Sequence, residues 1–128
     1  QENPTSRHAG VNAIEAPFIL HHDGYYYLFV SWDYCCRGEK STYRVVVGRS
    51  KEVYGPYVDR EGRPMYAGGG TPVIAGDGTN FEAAGHCAAY HFPDGETFVC
   101  HGYSIPLHGQ SILVQRRMVW EDGWPKLR

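Results

Sequence analysis

Two similar segments constrain the fold of this chain more than any other sequence feature. The first reads EAPFILHHDG from Glu15, and the second reads HCAAYHFPDG from His86, 71 residues further on. Each runs into an Asp-Gly pair and then into another apolar stretch. Asp-Gly between apolar runs is the strongest short signal for a β-hairpin, because a type I′ turn needs positive φ at both central residues. The sequence therefore predicts a repeated β unit in which Glu15 and His86 are equivalent.

Each predicted hairpin is followed by two further strand-like segments. After the first come YRVVVGRS at 43–50 and GPYVD at 55–59, and after the second come SILVQRRMVW at 111–120 and GWPKL at 123–127. No long segment has a convincing helical period. We therefore predict an all-β chain, a single domain 1–128 with four-stranded antiparallel units at about 12–60 and 71–127. The fourth strand of each unit is predicted to be short and exposed.

The first hairpin is apolar on both faces. Pairing across Asp23-Gly24 places Phe18, Leu20, Tyr27 and Phe29 on one face, and Ile19, Tyr26 and Leu28 on the other. Such a sheet needs cover on both sides, which neighbouring blades of a β-propeller provide. A two-sheet sandwich is the alternative, but it exposes one face of each sheet and produces cleaner alternation. In a propeller the first strand of each blade lines the central channel, so Glu15 and His86 are expected to point toward the axis.

Glu15 stands at the start of the first predicted strand, between Ile14 and Ala16-Pro17. We expect this carboxyl group to be buried in the channel, and burial favours the protonated form that a general acid needs. The alternative is a buried ion pair with Arg44 or Arg49. Position alone does not separate these two interpretations.

Composition excludes some classes of protein. The chain has 128 residues, which suits one domain with a modest core, and its formal net charge of -2 does not suggest a nucleic-acid partner. No apolar run approaches the length of a membrane-spanning helix, and no signal peptide is visible. Ten Tyr, five Phe and three Trp suit sugar binding, although most such aromatics belong to a core. A secreted or periplasmic location is favoured over the cytoplasm.

Four cysteines are present, Cys35, Cys36, Cys87 and Cys100. The adjacent Cys35 and Cys36 cannot bridge each other without strain. A Cys87–Cys100 disulfide is compatible with the predicted pairing but is not favoured, and the spacing does not fit a zinc site. We therefore predict four reduced thiols.

The chain contains, in this order, the motifs NAIEAPFI at 12–19, YYYLFVSWDYCCRG at 25–38, STYRVVVGRS at 41–50, GPYVD, and a later Gly-His followed by a strand. Together these motifs resemble glycoside hydrolase family 43, and specifically its endo-1,5-α-L-arabinanase branch. The resemblance covers nearly all of the chain after about residue 10. It implies a five-bladed β-propeller. It also implies inverting hydrolysis of α-1,5-arabinan or a related arabinose or xylose polysaccharide, with two essential carboxylates and a third acidic helper.

The resemblance also implies roles for individual residues. Glu15 matches the general acid, and His86 matches a histidine near a metal ion, often calcium, which would be held here mostly through water. The substrate-binding residues predicted with it are Asn12, Trp32, Cys35 and Arg37. A hydrogen-bonded core histidine is the alternative for His86, and core packing is the alternative for Trp32.

The family's general base and the Asp that tunes the acid both precede the motif of Glu15. Here the 14 residues before Glu15 contain no Asp, and the candidate replacements, Asp33 and Glu82, are better explained as structural residues. The chain thus resembles about the last half of a propeller.

This incomplete resemblance sets the expected partners and activity. We expect a homodimer, a larger oligomer or a bound N-terminal half, with arabinan or a related plant cell-wall polysaccharide as substrate and no nucleic-acid or membrane partner. Hydrolysis by the isolated chain is expected to be weak or absent. A non-catalytic half-propeller for carbohydrate binding or assembly is the alternative.

Overall fold

The computed structural model describes residues 13–128 and contains two four-stranded antiparallel sheets. The first sheet consists of β1 (Ile14–His22), β2 (Tyr25–Trp32), β3 (Arg44–Ser50) and β4 (Thr71–Ile74). The second consists of β5 (Phe81–Phe92), β6 (Gly95–Ser104), β7 (Ser111–Glu121) and β8 (Trp124–Leu127). Short 3₁₀ turns lie at Gly38–Lys40 and Met65–Ala67. In both sheets the strands follow one another in chain order, so the prediction of consecutive four-stranded meanders is confirmed.

The first hairpin has the predicted register. His22 pairs with Tyr25, and Asp23 and Gly24 form the turn with φ of 49° and 83°. These positive angles are those of a type I′ turn, which the Asp-Gly pair favours. Phe18 lies opposite Phe29, and Ile19 lies opposite Leu28, as expected from pairing across this turn.

The second hairpin turns one residue earlier than predicted. Phe92 pairs with Gly95, so the turn residues are Pro93 and Asp94 rather than Asp94 and Gly95. Pro93 has no N–H with which to close a hairpin pair, and its fixed φ suits the first central position of a type I turn. The proline therefore overrides the Asp-Gly signal and shifts the register of the whole hairpin.

The fourth strand of the first sheet also differs from the prediction. It is Thr71–Ile74, which pairs with β3 through Val45, Val46 and Val47. The predicted strand at 55–59 contributes only isolated bridges, from Val58 to Arg49 and to Pro64. The first sheet therefore takes a segment that was predicted to begin the second unit.

The main core lies between the two sheets. Its fully buried members include Tyr27, Phe29, Val45 and Val47 from the first sheet, and Ala89, Phe98, Cys100 and Met118 from the second. Phe29 and Phe98 meet at the centre with their rings 6.1 Å apart. The second sheet thus covers the hairpin face that carries Phe18, Leu20, Tyr27 and Phe29.

The opposite face of the first sheet has a cover of its own. Val30, Trp32 and Val46 pack there against Tyr57 and Met65, which belong to the long connection between β3 and β4. This confirms that the first hairpin is covered on both sides, although Ile19 near its tip remains 45% exposed. The second cover comes from the chain's own connection rather than from a third sheet.

Within residues 13–128, no helix has the length and apolar character that would let it cross a membrane.

Candidate active site

A pocket lies where the first two strands of each sheet meet. Its volume is about 260 Å³, just below the range of roughly 300–1,000 Å³ that is typical of small-molecule sites. The lining residues are Glu15, Ala16, Ser31, Cys35, Cys36, Tyr43, His86, His101 and Tyr103. Three residues selected from the sequence, Glu15, Cys35 and His86, are therefore brought together in one pocket.

Two β-bulges shape the rim of this pocket. One lies between Glu15 and Phe18 in β1, and the other lies between Gly85 and Ala88 in β5. The residues that open the bulges, Ala16 and His86, both have left-handed backbones with φ of 51° and 55°. Bulges of this kind redirect side chains at sheet edges and are frequent next to active sites.

The bulges show that Glu15 and His86 are not equivalent positions, as the sequence repeat had suggested. Glu15 pairs with Ser31 just before the first bulge, whereas Gly85 pairs with His101 just before the second. Glu15 thus corresponds to Gly85, and His86 corresponds to Ala16. The sequence repeat aligned Glu15 with His86, one residue after Gly85, because it did not anticipate the early turn at Pro93.

Glu15 is exposed rather than buried. In the described part of the chain it forms no ion pair with Arg44 or Arg49, the partners considered for a buried carboxylate. Arg44 lies over the Trp32 ring, and Arg49 packs on Tyr25 and donates a hydrogen bond to the Gly123 carbonyl. The expected burial of Glu15 was wrong because, among residues 13–128, β1 has a neighbouring strand on one side only.

Glu15 is the single carboxylate among the described residues that line the pocket. Asp33 and Glu82, the candidate replacements for a general base, do not belong to the lining. Asp33 lies beyond β2 with its N–H bonded to the Ala13 carbonyl, and Glu82 pairs with Tyr103 in the second sheet. The described lining therefore supplies one acidic group and no second carboxylate beside it.

His86 is fixed by its backbone and exposed at its side chain. Its N–H donates a 2.8 Å hydrogen bond to the Ser31 hydroxyl, which ties the second sheet to the first inside the pocket. Its ring lies 5.5 Å from the ring of His101, measured between centroids. The exposed imidazole agrees better with a role in the pocket than with a buried core histidine.

The described residues do not form a calcium site by themselves. Among residues 13–128, no group of three or more His, Cys, Asp or Glu side chains is arranged to hold a metal ion. Calcium takes six to eight oxygen ligands, whereas the pocket offers two imidazoles and the Glu15 carboxylate. These residues do not fit a bound calcium ion without other ligands.

Two buried tyrosines form the floor of the pocket. Tyr43 and Tyr103 are 4% and 8% exposed, and their rings lie 6.1 Å apart. Burial, together with the neighbouring Tyr103 and Cys100, raises the pKa of Tyr43 far above its ordinary value, so its hydroxyl stays neutral. The Tyr43 ring lies directly over Gly85, where a larger residue would collide with it.

The prediction of four reduced thiols was wrong for the adjacent pair. Cys35 and Cys36 are joined by a disulfide, while Cys87 and Cys100 are free and buried. Cys36 has a φ of 70°, and this local reversal of the chain brings the two neighbouring side chains together. Burial raises the pKa of Cys87 to about 12 and that of Cys100 to about 11, so both remain protonated thiols.

The other predicted substrate-binding residues lie outside the pocket lining or outside the described chain. Trp32 is 6% exposed and packs in the second core, which supports the alternative of core packing. Arg37 is exposed and lies over the Tyr34 ring at 4.2 Å. Asn12 falls outside the described residues.

The sequence did not identify four of the lining residues, Ser31, Tyr43, His101 and Tyr103, because their positions in the pocket depend on how the two sheets pack.

Two four-stranded meanders packed face to face, with a pocket at their first strands, define a partial β-propeller. The chain belongs to the glycosyl hydrolases family 43, whose sequence model matches residues 1–125.

The most similar proteins include two named extracellular enzymes. An exo-α-(1→5)-L-arabinofuranosidase from Cellvibrio japonicus is 44% identical over 120 residues, which are 93% of this chain and 34% of that protein. An endo-α-(1→5)-L-arabinanase from Bacillus subtilis is 39% identical over 113 residues, which are 88% of this chain and 34% of that protein. The chain therefore spans about a third of the length of these curated relatives.

A solved structure confirms the fold. The crystal structure of an exo-1,5-α-L-arabinanase from a bovine ruminal metagenomic library matches with a TM-score of 0.88 and 52% sequence identity. The match covers 94% of this chain and 40% of that structure. The resemblance inferred from the motifs is thus confirmed at the level of family and fold.

Proposed function

We propose that this chain forms the acid-bearing part of the active site of an arabinan-degrading glycoside hydrolase. The observation that carries the proposal is that Glu15 and His86 line one pocket at the junction of the two sheets, in a chain of family 43. The names of the similar proteins point to α-1,5-linked arabinan as the substrate class. They also support a location outside the cell.

Glu15 is the proposed general acid. An exposed carboxylic acid at the pocket rim can reach the glycosidic oxygen of a bound chain and donate its proton as the bond to the anomeric carbon breaks. A sugar that fills the pocket would displace water from around Glu15 and bring the glycosidic oxygen within reach of its carboxyl group.

A second carboxylate is needed for hydrolysis with inversion. It acts as general base and stands roughly 6.5–9.5 Å from the acid, which leaves room for the attacking water. The described lining contains no second carboxylate, so we propose that the base comes from residues beyond those described here. A bound N-terminal half would provide it, whereas a second copy of this chain brings another Glu15 but no Asp that precedes it.

A non-catalytic carbohydrate-binding or assembly unit is the second candidate function. The described lining contains a single carboxylate, which favours this candidate, because a site with an acid and no base binds sugar without cleaving it. The two candidates differ in turnover: a hydrolase releases reducing sugar from linear arabinan, whereas a binding unit does not.

The test compares Glu15→Gln with Glu52→Gln, a matched change at an exposed glutamate outside the pocket lining. Release of reducing sugar from linear arabinan is measured for both variants and for the parent. We expect Glu15→Gln to lose about 10²–10⁴-fold in rate or more, and Glu52→Gln to match the parent. Equal rates for all three, each measurably above background, would remove Glu15 from the mechanism. Sugar binding by the parent without any turnover would favour the second candidate.

A calcium ion near His86 remains a proposal that rests on the family resemblance. Any such ion would be held mostly through water, since the described side chains do not surround it. An ion that binds only the folded protein raises its melting temperature. Added calcium should therefore raise the melting temperature of the parent more than that of His86→Ala. A melting curve that responds to neither calcium nor chelator would argue against the ion.

A further inference from the structure

The disulfide between Cys35 and Cys36 is part of the pocket wall. Both cysteines line the cavity that also contains Glu15, His86 and His101. All four cysteines of the chain lie within the described residues, and the other two are buried free thiols. This disulfide is therefore the one covalent cross-link among residues 13–128, and it lies at the candidate active site rather than in the core.

The disulfide is held in place by both sheets. The Cys36 N–H donates a 2.6 Å hydrogen bond to the Tyr103 hydroxyl, which belongs to the second sheet. Cys35 packs against the buried cluster of Tyr43, Ala83 and Tyr103. At the base of the loop, the Thr42 and Tyr43 N–H groups both donate to the Tyr34 carbonyl, at 2.8 and 2.9 Å. The wall is thus positioned before any ligand arrives.

The two walls of the pocket differ in chemistry. A disulfide between neighbours presents methylene carbons and two polarizable sulfurs, and it carries no hydrogen-bond donor of its own. The Cys36 N–H is already bonded to the Tyr103 hydroxyl, and the Arg37 N–H is bonded to the Ser41 hydroxyl. Glu15, His86 and His101 supply carboxylate and imidazole groups to the same pocket. A sugar ring has the matching division, with C–H groups on a face and hydroxyl groups at its edge.

We propose that the Cys35–Cys36 disulfide is the apolar platform on which a pentose ring of the substrate packs, so that the ring's polar edge faces Glu15 and the two histidines. The inference rests on the proposed function and extends it by assigning a binding element. The linked pair acts as one rigid surface, and opening the bond would replace that surface with two independent thiol side chains. Opening the disulfide would therefore remove the contact with the C–H face of the sugar, while Glu15, His86 and His101 would remain in the pocket.

The test exploits the fact that a phosphine reductant can break only this bond in the chain. Binding of arabinotriose is measured by calorimetry with the oxidised chain, after reduction, and after reoxidation. We expect reduction to weaken binding about fivefold, as loss of a small apolar contact would, and reoxidation to restore it. The double variant Cys35→Ser/Cys36→Ser should bind like the reduced chain and should not respond to the reductant.

A second readout separates contact from mere support of the loop. The imidazole resonances of His86 and His101 and the melting temperature are recorded without ligand, before and after reduction. A platform that acts by contact leaves them nearly unchanged. Displaced imidazole resonances together with a lowered melting temperature would overturn the platform in favour of a structural role.

Failure of this inference is distinguishable from failure of the proposed function. Equal arabinotriose affinity of the oxidised and reduced chains would overturn the platform and leave the arabinan assignment standing. If xylotriose bound in a reductant-sensitive way and arabinotriose did not, the arabinan assignment would fail and the platform would stand. If neither sugar bound to the oxidised chain, both would be overturned.

Discussion

Phe29 is one of the fully buried aromatic residues of the core. It is fully buried between the sheets, opposite Phe18 in β1 and 6.1 Å from the Phe98 ring. Packed interiors tolerate the removal of volume poorly, because the surrounding atoms relax only partly into the cavity. The junction that forms the pocket therefore depends on side chains that lie outside the pocket lining.

Phe29→Ala should lower the free energy of unfolding by about 3–5 kcal/mol, because it removes a buried aromatic ring and leaves a cavity. Urea denaturation measures the change. Ile19→Ala is the matched control on the same hairpin, since Ile19 is 45% exposed and should cost well under half as much. Similar losses for the two variants would contradict the described packing.

Glu15 shows what local sequence cannot reveal. Its neighbours in the chain are apolar, which predicted burial, yet its side chain is exposed at the rim of the pocket. Exposure of a residue on the first strand of a sheet is decided by which other strands lie beside it. The motif predicted that Glu15 lies in the pocket, whereas its exposure to solvent could be learned only from the packed structure.

The two hairpins show why secondary structure was predicted well and register only in part. Asp23-Gly24 is flanked by residues that can pair, so the turn forms where the signal predicts it. The second Asp-Gly pair follows Pro93, and the missing N–H moves the turn by one residue. Part of the connection between β3 and β4, residues 55–59, was predicted to be a strand because it contains apolar residues. In the structure, the apolar side chains of this connection, such as Tyr57 and Met65, cover one face of the first sheet.

Asp59 organises that connection. It is 3% exposed and accepts hydrogen bonds from the N–H groups of Glu61, Arg63 and Gly70 at 2.9 to 3.0 Å, with the Arg63 side chain 3.3 Å away. Burial alone would raise the pKa of this carboxyl, but the backbone donors and Arg63 outweigh it and hold the pKa below its ordinary value. The ionised form is thus the one that stabilises the fold.

The stabilising effect of Asp59 should depend on pH. Because its folded pKa is lowered, its contribution is complete above the unfolded value of about 4 and is lost as the pH falls through the folded value. Asp59→Asn should cost about 1–3 kcal/mol at pH 7, and its difference from the parent should shrink steadily below about pH 4. Urea unfolding at several pH values measures this difference. A constant difference down to pH 2 would contradict a stabilising role for the charge.

The second sheet carries large apolar side chains that the described chain leaves in water. Leu113, Tyr90 and Phe92 are 60%, 54% and 48% exposed. Exposed apolar groups of this size favour association, and closure through a two-fold contact is the commonest outcome. The whole molecule is therefore expected to work as part of a larger assembly.

We predict that the chain forms a dimer or larger assembly at micromolar concentration, as measured by sedimentation velocity. Leu113→Asp should shift it toward the monomer, because a charge would then be buried in the contact. Tyr66→Asp serves as the control, since Tyr66 is 68% exposed in the connection that covers the first sheet. A parent chain that sediments as a monomer would contradict the prediction.

The central claim is that the pocket between the two sheets is the carbohydrate site, and mapping of arabinotriose by NMR tests it most directly. The largest chemical-shift changes should fall on the lining residues Glu15, Ser31, His86 and His101, and they should saturate together. Residues at the far tips of the hairpins, such as Asp23 and Asp94, should not respond. Shifts that cluster at those tips, or no shifts at any residue, would contradict the account.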